Sequence, residues 1–292
     1  MSKMNTWRLV ACALALGITT GATHAATIAH WNFEEQTGQD IANDAGASLT
    51  LRRGTSGSGW GDPAWSAGGF NGTGGLHYNS GAPGANPDYH VSTAKVTAEA
   101  AQLSLTSYTA EIFFKLDNIP PTGFSRTKPY SLLSQYDTTN NKLNYLLRIS
   151  GKSNGKGQLN VYYDKAAGGG QSLNSSIELD ANVWYYAAIS RAADGTQKLM
   201  VADVSDLDNI SITTNSASGT GAPFSGAGKF ALGAQGTSSS FQRGFVGIID
   251  NVRISDEVLD ESALLVNNIP EPASLLLFGV GGLVLVSRKR HL

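Results

Sequence analysis

The chain has 292 residues, a formal net charge of −2, 34 glycines and a single cysteine. The low content of charged residues and the many glycines argue against a disordered acidic chain and favour a packed β protein rich in turns. One cysteine excludes a disulfide framework and a cysteine-rich metal site within the chain.

The first 25 residues have the three parts of a secretory signal peptide in the expected order. Lys3 and Arg8 form a basic start, residues 9–18 form an apolar stretch too short to span a bilayer, and Ala25 provides a small side chain for cleavage. This pattern predicts an exported protein that is cut after Ala25, and the alternative is a buried first strand or helix. Cleavage there would also remove Cys12, so the exported part would contain no cysteine.

The body of the chain, residues 26–268, has the sequence pattern of an all-β protein with short strands. Residues 108–116 alternate apolar and polar side chains, except at Phe113, which predicts a half-buried antiparallel strand. Further strands are predicted at 144–150, 158–163, 183–191, 198–204, 229–234 and 244–255, with glycine turns at 155–157 and 194–195. We therefore predict an antiparallel two-sheet jelly-roll sandwich, with helical segments only at 91–103 and 260–267.

Five segments of the body resemble, in order, the motifs of laminin-G-like, concanavalin A-like domains. They are IAHWNFEEQTG, GLHYNSG with DYHVSTA, LTSYTAEIFFKLDN, VWYYAAISR with its following Asp-Gly turn, and FVGIIDNVRISDEVLDESAL. The resemblance spans about residues 27–267 and implies a lectin-like jelly roll. It places binding sites in loops or on the concave face, and the loops are where this sequence departs from the pattern.

The C-terminal segment, residues 269–292, consists of three parts in order. They are Pro270-Glu271-Pro272, an uncharged stretch of fifteen residues from 273 to 287, and the basic residues 288–290. As a helix, this stretch covers about 22 Å, which is short of a ~30 Å hydrocarbon core. The arrangement resembles the PEP-CTERM sorting signal of Gram-negative bacteria. The resemblance implies transient inner-membrane anchoring through a short transmembrane helix, cleavage by an exosortase and release to the cell surface or an extracellular matrix; the alternative is a simple C-terminal anchor.

Asp250 is the most informative charged residue of the body. Alternation along the predicted strand places it on one face with four aliphatic side chains, those of Val246, Ile248, Val252 and Ile254. A carboxylate alone in such a face costs several kcal/mol, so it needs a partner. One interpretation is that it accepts hydrogen bonds from backbone N–H or hydroxyl groups and pins the last strand to its neighbours. The other is a structural calcium ion shared with Glu34 or Asp44, because hard cations take oxygen ligands.

Trp60 and Trp65 lie in the glycine-rich segment SGWGDPAWSAGG and are candidate carbohydrate-binding residues. Planar aromatic rings in loops suit wet binding surfaces and stack on sugar faces. The alternative is that the two rings cap the end of the sandwich.

The sequence contains no recognisable catalytic motif. Glucanases of the resembled fold carry the acids Glu-x-Asp-x-x-Glu along one strand, and no segment of this chain matches. Glu34 and Glu35 are adjacent, so a strand would point them to opposite faces. The histidines lack zinc-hydrolase spacing, and neither a Gly-x-Ser-x-Gly elbow nor a P-loop occurs.

Charge and motifs together predict a surface protein with a glycan ligand. The two ends carry five of the 21 basic residues and one of the 23 acidic residues, so the formal charge of the body is about −6. Such a body argues against nucleic-acid binding. We predict a non-catalytic protein that binds carbohydrate or exopolysaccharide. The alternatives are a glycan-active hydrolase or lyase with acids drawn from separate strands, and a structural adhesive protein with protein partners.

Overall fold

The computed structural model describes residues 26–45, 49–53, 63–79, 94–96, 101–122, 129–137, 139–207, 209–215, 228–236 and 241–268. These residues form an all-β fold of antiparallel sheets with short 3-10 turns, which confirms the predicted fold class. The predicted signal helix and C-terminal transmembrane helix lie outside the described residues.

Eight strands, numbered in chain order, form the first sheet. In spatial order they are β14 (Ser211–Asn215), β13 (Gln197–Asp203), β12 (Trp184–Arg191), β7 (Tyr108–Leu116), β18 (Val246–Ser255), β5 (Gly75–Asn79) and β4 (Ala64–Ser66), with β1 (Thr27–Trp31) also paired to β18. β1 and β5 lie end to end along one side of β18, because β1 pairs with residues 252–255 and β5 with residues 246–249. The first and last strands of the described chain are therefore hydrogen-bonded neighbours within one sheet.

The second sheet also has eight strands. In spatial order they are β11 (Gly170–Leu179), β10 (Gly157–Asp164), β9 (Lys142–Gly151), β8 (Tyr130–Asp137), β15 (Lys229–Leu232), β6 (Ala94–Val96), β3 (Leu51–Arg53) and β2 (Asp40–Ile41). A short hairpin of β16 (Gln235–Gly236) and β17 (Phe241–Gln242) follows β15. The 3-10 turns are Phe70–Gly72, Ala101–Leu103, Glu261–Ala263 and Leu265–Asn268.

The main hydrophobic core lies between the two sheets. Alternate residues of β7 point into it, as the sequence pattern predicts: Tyr108, Ala110, Ile112, Phe114 and Leu116. The exception in that pattern, Phe113, belongs to a second cluster on the outer side of the first sheet, where the turns at 261–268 cover it. This covering segment explains why Phe113, an apolar residue, lies on the otherwise polar face of β7.

The predicted helix at 91–103 is wrong where the structure describes it. Residues 94–96 form β6, which is paired between β3 and β15, and only residues 101–103 form a single 3-10 turn. An alanine-rich segment has a high helix propensity, but pairing with two neighbouring strands overrides this weak preference. The second predicted helix, at 260–267, is replaced by two 3-10 turns that are separated by the extended residue Leu264.

Candidate functional site

Asp250 connects the last strand to the 3-10 turn at 70–72. Its Oδ2 accepts hydrogen bonds from the Phe70 N–H (2.8 Å) and the Thr73 hydroxyl (3.1 Å), and its Oδ1 accepts from the backbone (2.7 Å) and side-chain (3.0 Å) N–H groups of Asn251. The carboxyl group is fully buried. This geometry matches the first interpretation from the sequence, in which Asp250 pins the last strand through N–H and hydroxyl donors.

The predicted face of β18 is wrong, because a β-bulge interrupts it. Asp250 pairs with Phe113 and Arg253 with Glu111, so β18 has an extra residue between these two pairs. Such an insertion reverses the faces beyond it. Consequently Val252 and Ile254 lie in the main core, whereas Asp250 points to the outer side of the first sheet.

The environment of Asp250 disfavours its charged form. Burial raises its pKa from 3.8 to about 7, although the hydrogen bonds from Phe70, Thr73 and Asn251 act in the opposite direction. The nearby negative charge of Glu34 contributes to this increase in the pKa. Asp250 is therefore a carboxyl group that titrates near neutral pH inside a structural junction.

Glu34 and Asp44, the other predicted calcium ligands, lie in different surroundings. The Glu34 carboxylate accepts a hydrogen bond from the Gly74 N–H at 3.3 Å, close to the Asp250 junction. Asp44 instead lies beside His30, with Oδ2 and Nδ1 4.0 Å apart. Within the described part of the chain, no three His, Cys, Asp or Glu side chains form a group that could hold a metal ion. The calcium site remains a prediction of the sequence.

Of the two candidate tryptophans, only Trp65 is described, and Trp60 lies outside the described residues. The Trp65 indole N–H donates to the Gly38 carbonyl at 3.0 Å, and the Arg53 guanidinium lies 5.0 Å from the centroid of its ring. The ring also packs against the main core. These contacts fit a role in closing the edge of the sandwich, and sugar binding by the two tryptophans stays a prediction.

A row of polar side chains crosses the outer face of the second sheet, and the sequence does not reveal it. The row, called the polar strip below, consists of Arg243, Ser131, Arg148, Asn160 and Asn174. Ser131 pairs with Arg148, Arg148 with Asn160, and Asn160 with Asn174 on successive strands, while the Ser131 N–H donates to the Arg243 carbonyl. The chain neighbours of the three central residues point into the core, so the strip lies on the opposite side of the sheet. Ser131 and Asn160 are fully buried there, Arg148 and Arg243 are half-buried, and Asn174 is exposed.

Side-chain contacts order the strip. The Arg148 Nε donates to Asn160 Oδ1 at 2.8 Å, and the Asn160 amide donates to Asn174 Oδ1 at 2.7 Å. The Arg148 guanidinium lies 5.4 Å from the centroid of the Tyr162 ring, which supports it. Tyr162 in turn donates its hydroxyl proton to Asp164 Oδ1 at 2.7 Å. The amide of Asn174 is the exposed part of this arrangement, and Arg148 and Tyr162 are half-buried.

Two further charged residues, Glu111 and Arg191, are buried away from the polar strip and have structural partners. Glu111 accepts hydrogen bonds from the Tyr186 hydroxyl (2.7 Å), the Leu265 N–H (2.6 Å) and Arg253 Nε (2.5 Å). Arg191 donates to the carbonyl groups of residues 105, 106 and 144 and lies between the rings of two tyrosines. Both sets of contacts serve to hold segments of the fold together.

Comparison with known families decides the identity of the fold. The family model of the concanavalin A-like lectin/glucanases superfamily matches residues 90–264, more than half of the chain. The chain belongs to this superfamily. The model of the PEP-CTERM protein-sorting motif matches residues 268–290, which include Pro270, Glu271 and Pro272. Both resemblances drawn from the sequence are thus confirmed.

Solved structures show the same fold at low sequence identity. The receptor binding domain of botulinum neurotoxin type G matches 84% of this chain with 8% identity and a TM-score of 0.52. The serotype D/C binding domain matches 83% with 12% identity and a TM-score of 0.53. The chain spans about half of each neurotoxin domain, 50% and 51%. The Ruminococcus gnavus IT-sialidase CBM40, bound to α2,3 sialyllactose, matches 60% of this chain and 90% of its own, with 17% identity and a TM-score of 0.46. No curated protein sequence matches the chain.

The sorting motif makes this lectin-like protein an exported one, because the PEP-CTERM motif implies exosortase processing. The matched motif begins at residue 268, where the last 3-10 turn ends. In the described ranges, no helix is long and apolar enough to cross a membrane.

Proposed function

We propose that this superfamily member is a non-catalytic surface or matrix protein that binds carbohydrate or exopolysaccharide. The polar strip carries the proposal, because its exposed Asn174 and its half-buried Arg148 are held in fixed positions by Asn160 on the outer side of a lectin-like sandwich. Sugars expose many hydroxyl groups, and amide and guanidinium groups supply the donors and acceptors that such ligands need. The ordered contacts within the strip reduce the entropy cost of binding.

In this proposal, the sorting motif determines where the protein is delivered. An exosortase cleaves the C-terminal segment after transient anchoring in the inner membrane, and the body is released to the cell surface or extracellular matrix of a Gram-negative bacterium. The resemblance to PEP-CTERM proteins implies an extracellular polysaccharide matrix as one destination, and a glycan-binding body fits that destination. Export and glycan binding are therefore parts of one function.

Retention on polysaccharides tests the proposed function. The full chain, purified in mild detergent, is applied to a glycan array and to columns of immobilised neutral and acidic polysaccharides. We expect retention on at least one polysaccharide, and weaker retention after Asn174→Ala, because Asn174 is the exposed end of the polar strip. Ser176→Ala, which changes another exposed side chain of β11, is the matched control and leaves retention unchanged.

Three outcomes would contradict parts of this proposal. Binding to protein partners with no glycan retained would favour the adhesive alternative. New reducing ends or unsaturated sugars after incubation with a polysaccharide would favour a hydrolase or lyase. Loss of retention in Trp60→Ala or Trp65→Ala, with Asn174→Ala unaffected, would move the site to the glycine-rich segment.

A further inference from the structure

Arg191 is a buried cation whose hydrogen-bond partners are all neutral. The residue lies on β12 and is fully buried. Its guanidinium group donates to the carbonyl groups of residues 105, 106 and 144 and to Oδ1 of Asn144, over distances of 2.7 to 3.2 Å. In the described part of the chain, no acidic residue forms an ion pair with it. A buried charge without an opposite charge is costly, so a negative partner for Arg191 would stabilise the folded state.

Three tyrosines from both sheets lie around this guanidinium group. They are called the tyrosine cluster below and consist of Tyr108 on β7, Tyr145 on β9 and Tyr163 on β10. The guanidinium carbon lies 5.0 Å from the ring centroid of Tyr108 and 5.2 Å from that of Tyr163. The ring centroids of Tyr108 and Tyr145 are 4.9 Å apart, and all three side chains are fully buried. The fold therefore brings three phenol groups and one cation together inside the sandwich.

The hydroxyl groups of the tyrosine cluster are unusual because they are buried without being hydrogen bonded. None of the three has a hydrogen-bond partner among the described residues. Buried polar groups in native proteins are nearly always hydrogen bonded, either to the protein itself or to a bound water molecule or ion. Three unpartnered hydroxyl groups around one guanidinium group therefore indicate a common ligand.

The tyrosine cluster does not itself supply the negative charge that would offset Arg191. Burial raises the pKa of Tyr108 to about 12 and the pKa of Tyr145 well above its usual value of 10, and the positive charge of Arg191 only partly offsets these increases. Both hydroxyl groups therefore keep their protons at neutral pH and act as hydrogen-bond donors. The titratable groups that affect the pKa of Arg191 are the three tyrosines, with no carboxylate among them. A cation surrounded by hydroxyl donors suits an anion.

We infer that Arg191 and the tyrosine cluster bind a small monovalent anion of the size of chloride or bromide. Arg191 supplies the opposite charge, and its Nη1 carries two N–H groups but makes a single hydrogen bond to the described residues. A monovalent ion neutralises the site, whereas a divalent ion such as sulfate would leave a net negative charge buried. The anion joins β7 and β12 of the first sheet to β9 and β10 of the second. The inference does not rest on the proposed function, because no glycan takes part.

Thermal unfolding of the full chain, purified in mild detergent, measures the effect of the anion. Bromide is exchanged for methanesulfonate, a much larger monovalent anion, at constant ionic strength, so that general screening by salt stays the same. An anion that binds only the folded state stabilises it. Each tenfold increase in bromide above the dissociation constant should therefore raise the unfolding midpoint by roughly 3–6 °C. Chloride should act in the same way.

Tyr163→Phe separates anion binding from the packing of the core. The substitution keeps the ring that lies against Arg191 and removes a hydroxyl group that has no partner among the described residues. With no ligand bound, the loss of a buried unpartnered hydroxyl group would leave the midpoint unchanged or raise it. With an anion bound, the loss of a charge-assisted hydrogen bond should lower the midpoint in bromide and weaken bromide binding about tenfold or more.

Tyr185→Phe is the matched control for this variant. Tyr185 is also a buried tyrosine and lies on the same strand as Arg191, but its hydroxyl group accepts a hydrogen bond from the Asp180 N–H at 2.9 Å. The variant should keep the full dependence of the midpoint on bromide.

Crystals of the full chain grown in bromide locate the anion directly. We expect an anomalous-scattering peak of bromine in contact with Arg191 Nη1 and with the hydroxyl oxygens of the tyrosine cluster. This measurement also decides the question if Tyr163→Phe fails to fold.

Three results would overturn the inference. The first is an equal midpoint in bromide and in methanesulfonate. The second is an equal bromide effect in Tyr163→Phe and in the unmodified protein, which would show a general effect of salt. The third is electron density at the site without an anomalous signal, which would assign the site to water. Water is the rival ligand because the side-chain oxygen of Gln197, which lies opposite Arg191, is also buried without a partner among the described residues and accepts hydrogen bonds.

Discussion

At the scale of single residues, the carboxyl group of Asp250 stabilises the junction of two segments and also titrates. Its carboxyl group accepts four hydrogen bonds, yet burial raises its pKa from 3.8 to about 7. Between these two values the folded protein keeps a proton that the unfolded chain releases. The contribution of Asp250 to stability is therefore largest below about pH 4 and decreases as the pH rises to 7.

The titration of Asp250 predicts a specific effect of Asp250→Asn. Each unit of pKa difference corresponds to about 1.4 kcal/mol, so the group can change the free energy of unfolding by a few kcal/mol between pH 4 and 7. The uncharged amide removes this change, and the decline of thermal stability over that range should become shallower. Thermal unfolding followed by circular dichroism at several pH values measures how stability declines in the variant and in the unmodified protein.

Asp194→Asn is the control for this pH profile. The exposed Asp194 carboxylate accepts a hydrogen bond from the Thr196 N–H in a hairpin turn, which lowers its pKa. Its contribution therefore has the opposite sign and is lost as the pH falls. An Asp250→Asn profile identical to that of the unmodified protein would contradict the assigned pKa.

At the scale of elements, the last described segment is attached to the first sheet by one buried cluster. Glu111 on β7 accepts from Arg253 on β18 and from the N–H of Leu265 in the last 3-10 turn, and Arg253 Nη2 donates to the Ala263 carbonyl at 2.6 Å. Removing one partner of a buried ion pair is costly, because the other charge stays buried. This cluster holds the turns that directly precede the sorting motif.

Glu111→Gln should therefore lower the free energy of unfolding by about 3 kcal/mol and speed amide hydrogen exchange in residues 261–268. Hydrogen exchange followed by mass spectrometry measures the local effect. Glu178→Gln, which alters a partly exposed pair with Lys152, is the control and should leave stability and this exchange nearly unchanged, because solvent screens such a pair. Unchanged exchange in residues 261–268 of the Glu111 variant would show that the cluster does not hold this segment.

The same elements show how far the sequence predicts the fold. β7 was predicted with its bounds and its core face, because its side chains alternate over nine residues. β11 was not predicted, since it is an edge strand whose many polar side chains resemble a loop. The outward position of Asp250 depends on the bulge at 250–253. The asparagine at 251, which adopts a positive φ angle in the structure, is only a weak signal of this bulge in the sequence. Bulges and strand order are set by tertiary pairing, which a single sequence does not contain.

The candidate site illustrates the same limit. Arg148 lies in a strand whose middle residues are mostly apolar and Arg243 follows a short hairpin, so neither has a pattern that marks it as functional. They become neighbours because β8 lies beside β9 and the segment after the hairpin returns to β8. By contrast, the sorting motif was predictable, because its parts are consecutive in the chain.

At the scale of the whole molecule, a concanavalin A-like sandwich is joined to a sorting motif. The first sheet is covered on its outer side by the C-terminal turns, whereas the second sheet presents the polar strip. The two faces therefore differ: one holds the segment that leads to the sorting motif, and the other is the face for which we propose glycan binding.

Amide hydrogen exchange, measured with and without a bound polysaccharide, tests most directly whether the glycan binds to the second sheet and not to the first. Mass spectrometry compares peptides from β9, β10 and β11 with peptides from β13 and β14 of the first sheet. The account predicts that the glycan slows exchange in the second-sheet peptides and leaves the first-sheet peptides unchanged. Slower exchange confined to residues 26–79, or to the strands of the first sheet, would contradict it.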